Sequence, residues 1–497
     1  MLKSPILRLA RTYSKRISEQ APRAWKPLGM SAVVIPGSKP TQKSSKEPCG
    51  NGRPFKKRKV QEKPIKEGSS EEVLLIDIKN LLATQTLEDP VTDERENPEL
   101  PAKLPEPFTE IDLTIVELSS TGDGLALLPS TPHVCVVPFA VPGDRVTAKV
   151  IRHIKNEKYS IADFVKVLEP SPLRDDSRIK CQYFATCAGC QFQMLDYDTQ
   201  LAYKRRIVEK AFKNFSGLDP KLVPPVGDTI GSPMQYGYRT KLTPHFDGPS
   251  GRNRQKKPFE SVPPIGFMKK GMRKTIDIED CPIGTDAVRE GMKRERIKVA
   301  ENIRSYKKGA TLLLRESTKR VPKAETGNIS PVDAGKDTEE ANGGVRVERK
   351  DYRNYVEEKT CITSSTTTSV EYVDDFILEN PAGAFFQNNN SILSTFTDYT
   401  IGIDISADSI SFARRNATLN SLPPAKTTFI AADAPALFAD ITFPPNETAV
   451  VIDPPRKGCD EGFLKQLVAY APRRIIYTGH VESVAVLMRK SNGIKKP

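Results

Sequence analysis

No stretch of the chain approaches the roughly 18 uninterrupted apolar residues that a membrane-spanning helix needs, which excludes an integral helical membrane protein. Eight cysteines in 497 residues are too few for a disulfide scaffold, and no secretory signal peptide is visible. Internal repeats are absent. Acids are scarce at the start: residues 1–70 hold 17 Lys/Arg against 4 Asp/Glu, a balance of +13 that equals the formal charge of the whole chain. The remainder is 58 against 58, so nucleic-acid binding by the folded part has to be argued from local patches. What is present is 38% apolar and 28% charged residues, enough for a packed core with part of the chain unstructured. The length suits about three domains.

Residues 1–105 read as a basic, disordered tail and linker. Arg8, Arg11, Lys15, Arg16 and Arg23, with Glu19 the only acid before residue 30, fit a mitochondrial presequence. Lys56-Lys57-Arg58-Lys59 suits nuclear import or a nucleic-acid patch. The expected location is therefore the nucleus, the mitochondrion or both. Residues 106–172 change character. Short β-type runs at 113–116, 124–128, 133–137, 144–150 and 161–165 are punctuated by Gly122-Asp-Gly124 and Pro142-Gly-Asp144. Five such strands predict a small barrel of the oligonucleotide-binding kind. Lys149, Arg152, Lys155 and Lys158 crowd its fourth strand and the following turn, a basic cluster suited to RNA. A helix is predicted over 196–215. Residues 173–316 form an α+β central domain, 317–370 a mobile insertion rich in Thr, Ser, Gly, Lys and Glu, and 371–497 an alternation of strands and helices that predicts a Rossmann-like α/β domain.

Two constellations carry chemistry. Cys181-x5-Cys187-x2-Cys190, with Cys281 far downstream, is a three-plus-one thiolate set. It suits a [4Fe–4S] cluster, with zinc and free buried thiols as the alternatives. Asp404 ends a strand that precedes a helix, where a carboxylate can accept both ribose hydroxyls of a nucleoside cofactor, and Asp433 ends the next strand, placed to meet an adenine amino group. The apolar run Ala449-Val-Val-Ile452 ends in Asp453-Pro-Pro-Arg456. Its prolines remove donors so that a planar base can lie close, and Arg456 in place of an aromatic points to a ring-carbon target.

From about residue 108 onward, the order of the barrel, the four cysteines, Pro381-Ala-Gly-Ala-Phe-Phe-Gln387, Gly402-Ile-Asp404 and Asp453-Pro-Pro-Arg456 resembles the TRAM-domain RNA 5-methyluridine methyltransferases, closest to the fungal tRNA (uracil-5-)-methyltransferases. The resemblance implies that Gln387, Asp404 and Asp453 bind S-adenosylmethionine, that Cys181, Cys187, Cys190 and Cys281 hold [4Fe–4S], and that Arg239, in Tyr238-Arg-Thr-Lys241, faces RNA or the cluster. It also implies a tRNA T-loop substrate, a monomer and no membrane partner. The implied chemistry is attack by a cysteine on uracil C6, methyl transfer to C5, and proton removal by a carboxylate, here Glu482. Two family segments are missing. The strand Arg474-Ile-Ile-Tyr477 runs straight into Thr478-Gly-His-Val-Glu482, without the segment that carries the nucleophile. Only Asn388 to Thr400, free of glycine, stands where the family has a glycine-rich cofactor loop. Cys459 lies on the wrong side of the strand to replace the nucleophile. The alternative for the chain as written is a non-catalytic TRAM and iron–sulfur RNA-binding protein.

Overall fold

The structure, a computed structural model, describes residues 65–88, 104–129, 131–249, 258–323, 340–341, 345–346, 348–389, 403–424, 427–432, 441, 443–452, 458–478 and 484–488. The first helix, α1 (Ser70–Glu88), lies inside the range read from sequence as tail and linker. Its start is specified locally: Glu72 N–H donates to Ser69 Oγ at 3.3 Å, and Gly68 N–H donates to the Glu72 carboxylate at 2.6 Å. Leu75, Ile78 and Leu81, spaced three apart, form its buried stripe.

That stripe lies on the predicted barrel. Strands β1 (Glu110–Leu118), β2 (Gly124–Leu127), β3 (Val134–Val137), β4 (Arg145–Ile154) and β5 (Tyr159–Glu169) close in the order β1-β2-β3-β5-β4. Leu113, Ile115, Ala126, Cys135, Val137, Val146 and Ala148 fill the interior. Leu125, Val134, Val136 and Tyr159 pack against α1 instead. All four residues of β3 are therefore buried, two inward and two under the helix. A barrel strand with an open outer face alternates apolar and polar; the unbroken Val-Cys-Val-Val run is explained by the second cover.

Polar contacts carry α1 across to the central domain. Asp77 is buried; its carboxylate accepts from Ser120 N–H at 2.6 Å and stands 3.4 Å from Lys210 Nζ. Lys210 belongs to α2 (Tyr197–Phe215) and also bonds Glu117 of β1 at 2.5 Å. Asn80 and Asn214 join the same two helices at 3.1 Å. The α2 helix matches the one predicted over 196–215, with Asp196 as its cap, accepting from Thr199 N–H.

The central domain holds two small sheets. In chain order its elements are β6 (Lys241–Leu242), β7 (His245–Phe246), β8 (Gly266–Met268), β9 (Thr275–Asp277), α3 (Asp286–Glu301), β10 (Ala310–Thr311), β11 (Leu314–Pro322), the short pair β12 (Glu340–Ala341) and β13 (Val345–Arg346), β14 (Glu348–Asp351) and β15 (Tyr355–Ile362). One sheet runs β10-β7-β8-β9, the other β14-β15-β11-β6. Much of the predicted mobile insertion is therefore strand. Its polar composition hid a ladder whose charges are paired across strands: Arg320 with Glu357, Lys359 with Glu316, and Arg349 with Glu358. Opposite charges on facing strand positions, or diagonally across them as for Lys359 and Glu316, stabilise a sheet without apolar alternation. Residues 324–339 lie outside the described residues.

A hairpin, β16 (Thr368–Val373) and β17 (Phe376–Pro381), leads to the carboxy-terminal region. There, β18 (Ile403–Asp404) runs parallel to β19 (Ile430–Ala431), with α4 (Ala407–Leu419) between them in sequence. Likewise β20 (Ala449–Ile452) runs parallel to β21 (Arg474–Thr478) across α5 (Glu461–Tyr470), and β22 (Val484–Met488) adds antiparallel. These are the strand–helix–strand units expected of an α/β domain, in two separate sheets among the described residues. Val451 is 52% exposed, although a strand of a covered parallel sheet is buried on both faces. No described helix is long and apolar enough to cross a membrane.

Ile78 is fully buried under the barrel, so Ile78→Ala should cost about 2–5 kcal/mol in urea-induced unfolding. An unchanged midpoint would place the helix off the barrel.

Candidate functional site

The cysteine motif is held open by its own backbone. Cys181 N–H and Lys180 N–H both donate to Gln193 Oε1, at 3.2 and 3.1 Å, and Cys187 N–H donates to Tyr183 O at 2.9 Å. Tyr183 accepts through its hydroxyl from Glu279 N–H at 3.1 Å, tying the loop to the segment that carries Cys281. Cys181, Cys187, Cys190 and Cys281 thus line one cavity of about 300 Å³, as sequence predicted, and all four are free thiols. Asp280, beside Cys281, is fixed by a two-pronged ion pair with Arg289, at 2.6 and 2.7 Å, which lowers its carboxyl pKa.

Burial pushes the Cys281 thiol up to about 12, and burial first, then neighbouring thiolates, raises Cys181 and Cys187. A set of buried thiols has to lose protons to act as ligands, which requires a positive occupant. No group of three or more His, Cys, Asp or Glu among the described residues is placed to hold a single metal ion. Tetrahedral zinc draws its four sulfurs to roughly 3.8 Å of one another, given Zn–S bonds of about 2.3 Å. Cys181, Cys187, Cys190 and Cys281, around one cavity, are the residues available to a metal centre here.

The cofactor residues are only partly placed. Gln387 is half-buried in a segment docked on the central domain: Lys241 Nζ donates to the carbonyls of Gly383 and Ala384 at 3.0 and 2.9 Å, and Thr240 N–H donates to Asn388 O at 3.0 Å. Arg315 lies 5.5 Å from the Phe386 ring, is almost fully buried, and pairs with Glu371. Asp404 ends β18 as predicted and is exposed; it accepts from Ser406 N–H at 2.8 Å, and Ser406 caps α4. Asp433, Asp453 and Glu482 lie outside the described residues.

Arg315, and Asn416 of α4 with Asn420 capping its end, were not singled out from sequence. Asn420 accepts from Ile377 N–H and donates to Ile377 O, at 2.7 and 2.6 Å; Asn416 does the same with Glu379, at 2.8 and 3.0 Å. Four helical residues rise about 6 Å and two strand residues about 6.6 Å, so the spacings match. The Asn-x3-Asn pattern was the available signal.

On the barrel, Lys149 is half-buried and lies opposite Asp163; Arg152 is exposed and lies opposite Ile161. A bulge between Val150 and Arg152 puts both on one face. Lys158 is exposed, and the Lys155 side chain lies outside the described residues. Arg239 lines the cysteine cavity.

In metal-free protein the high Cys281 pKa favours the folded state below the ordinary thiol value of 9.0. That contribution should fade as pH rises from about 9 towards 12. Thermal unfolding of chelator-treated protein across that range checks this, and the loss should shrink in Cys281→Ser.

No family model matches the chain. The tRNA (uracil(54)-C(5))-methyltransferase of Schizosaccharomyces pombe is 41% identical over 471 aligned positions, covering 86% of this chain and 77% of the relative. Its namesake in Saccharomyces cerevisiae is 35% identical, covering 85% of this chain and 75% of the relative. As 86% of 497 residues is about 427, some 44 of the 471 positions fall opposite gaps in this chain, in keeping with internal losses. The solved tRNA (uracil-54, C5)-methyltransferase of Pyrococcus abyssi, in complex with S-adenosyl-L-homocysteine, is 22% identical with a TM-score of 0.46, covering 74% of this chain and 89% of that one. At these identities and over this coverage, the chain belongs to the tRNA (uracil(54)-C(5))-methyltransferase family.

Proposed function

We propose that this protein transfers a methyl group from S-adenosylmethionine to C5 of uridine 54 of tRNA. The observation that carries the reading is the 41% identity to a relative of that name over 86% of the chain. The barrel, with Lys149 and Arg152 on one face, is read as a TRAM domain that holds RNA. Gln387 and Asp404, with Asp433 and Asp453, are assigned to the methyl donor, which supplies an electrophilic sulfonium methyl. Asp404 is suited to ribose hydroxyls because it is exposed at a strand end and held in place by the Ser406 amide. The protein acts as a monomer in the nucleus, the mitochondrion or both.

The cysteine cavity is assigned to a [4Fe–4S] cluster, which supplies one soft iron to each of four thiolates. The residues that would hold it are Cys181, Cys187, Cys190 and Cys281. Bound there, it would hold Cys181, Cys187 and Cys281 as thiolates against the burial that raises their pKa, and with Cys190 would join the 181–190 loop to the segment around Cys281. Anaerobically purified protein should contain iron and sulfide in about a four-to-four ratio. Stoichiometric zinc instead would overturn the assignment, and Cys281→Ser should lose the metal.

One observation limits turnover by these 497 residues. The only cysteine after residue 361 is Cys459, and it packs with Ile452, Phe463 and Leu467. Burial, then Asp460, raises its pKa, so it keeps its proton and makes a poor nucleophile. Glu482 can remove the C5 proton only after C6 has been attacked. The second reading, binding without methyl transfer, therefore applies to the chain as it stands, and catalysis to a form that carries the missing segments. The 497-residue chain should bind tRNA yet form no covalent adduct with 5-fluorouridine tRNA on denaturing gels. An adduct that disappears in Cys459→Ala would reverse this assignment.

A further inference from the structure

Between β8 and β9 the chain turns through Met268-Lys-Lys-Gly-Met-Arg-Lys-Thr275, four cations in six residues with no acid among them. Lys270 is ion-paired with Asp123 at 2.9 Å. Lys269, Arg273 and Lys274 have no ion pair or side-chain hydrogen bond among the described residues, whereas Arg289, Arg296, Arg320, Arg349 and Lys359 of the same domain are all paired. Met268 and Met272 flank these cations and are 38% and 51% exposed.

A run of solvated lysines is common on protein surfaces, but this run is held in place. Lys269 N–H donates to Lys274 O at 2.9 Å, Met272 N–H donates to Lys269 O at 3.2 Å, and Gly271 takes a φ of +74° that favours glycine. Two more bonds fix the hairpin to the cysteine loop: Ala188 N–H to Met268 O and Lys270 N–H to Thr186 O, both 3.0 Å. Cations on an ordered backbone lose less entropy on binding than cations on a free loop.

The hairpin also meets the barrel. A Cβ on Gly271 would stand 3.7 Å from Asp163 Oδ1, and Asp163 lies opposite Lys149. The hairpin therefore extends the face that carries Lys149. Five cations (Lys149, Lys269, Lys270, Arg273, Lys274) meet four acids (Glu110, Asp123, Asp163, Asp247), a local balance of +1, and three cations without a salt-bridge partner among the described residues, Lys269, Arg273 and Lys274, lie on the hairpin. A surface with excess fixed positive charge and exposed apolar side chains suits a phosphate backbone with ribose between the phosphates.

We infer that the 268–275 hairpin is a tRNA-binding element that grips the phosphate backbone beside the barrel. The inference rests on the tRNA reading above. Its test is the affinity of the full chain for unmodified tRNA, measured across a salt series, for Lys269→Ala/Arg273→Ala/Lys274→Ala. A control, Arg304→Ala/Lys307→Ala/Lys308→Ala, removes the same charge from exposed residues past the end of α3. The hairpin variant should bind about 10–100-fold more weakly near 0.1 M salt, with the slope of log affinity against log salt reduced by about two. Its unfolding midpoint should not change. Affinity within twofold of the unaltered chain, or an equal loss in the control, would overturn the inference. If the unaltered chain fails to bind tRNA at all, the substrate reading fails first and takes the hairpin with it.

Discussion

The arrangement of barrel, cysteine loop and basic hairpin depends on one buried ion pair. Asp144, fully buried before β4, accepts from Val141 N–H and Ser171 N–H, both at 2.9 Å, and from Arg174 Nε at 3.0 and 3.1 Å. Arg174 also donates to Phe139 O at 2.6 Å and to Asp176 at 2.8 Å. Every strong polar group of the pair is thus matched, the condition under which a buried charge pair is tolerable. Phe139 and Val141 close one end of the barrel, while Ser171 and Arg174 begin the connector to the cysteine loop. The next residue, Asp175, donates its N–H to Met194 O at 2.9 Å, on the far side of that loop. A single carboxylate therefore sets where the barrel stops and how the cysteine loop leaves it.

From that junction, order passes along hydrogen-bonded backbone rather than through a large shared core. The barrel interior, the α1 interface and the packing beneath the cysteines are separate apolar clusters. Between them run the Gln193 contacts to the cysteine loop, the Thr186 and Ala188 contacts to the 268–275 hairpin, and the Lys241 contacts to the segment that carries Gln387. Small clusters joined by specific bonds keep relative placement without requiring one rigid body. In the central domain, Gly291 of α3 approaches Cys361 of β15 too closely for any side chain to fit between them. The charged strand is thus packed into the domain and not merely attached to it.

The parts legible in sequence were those with local signals. Gly122-Asp-Gly124 and Pro142-Gly-Asp144 fixed the turns, and all five barrel strands fall where their apolar runs predicted, several of them longer. The meeting of the four cysteines in one cavity was legible in their three-plus-one spacing. The α1 helix was missed although Ser69-x-x-Glu72 and the stripe at Leu75, Ile78 and Leu81 were available, because the basic tail before it dominated the composition. Strands β11 and β15 were missed because their stability comes from cross-strand pairs such as Lys359–Glu316, and such pairing is a property of register rather than of either strand alone. The asparagine link between α4 and β17 joins residues about forty apart in the chain; the Asn-x3-Asn spacing marks the helix side of it but not the strand it meets.

The helix over the barrel also limits how the chain can be processed. Leu125, Val134, Val136 and Tyr159 form an apolar face on the outside of a small barrel, and only α1 covers it among the described residues. Any proteolytic cut in the amino-terminal region therefore meets a structural boundary near Ser69. A cut before it spares the helix and its capping bonds, whereas a cut beyond it would bare a sticky sheet face and release Asp77 from Ser120 and Lys210.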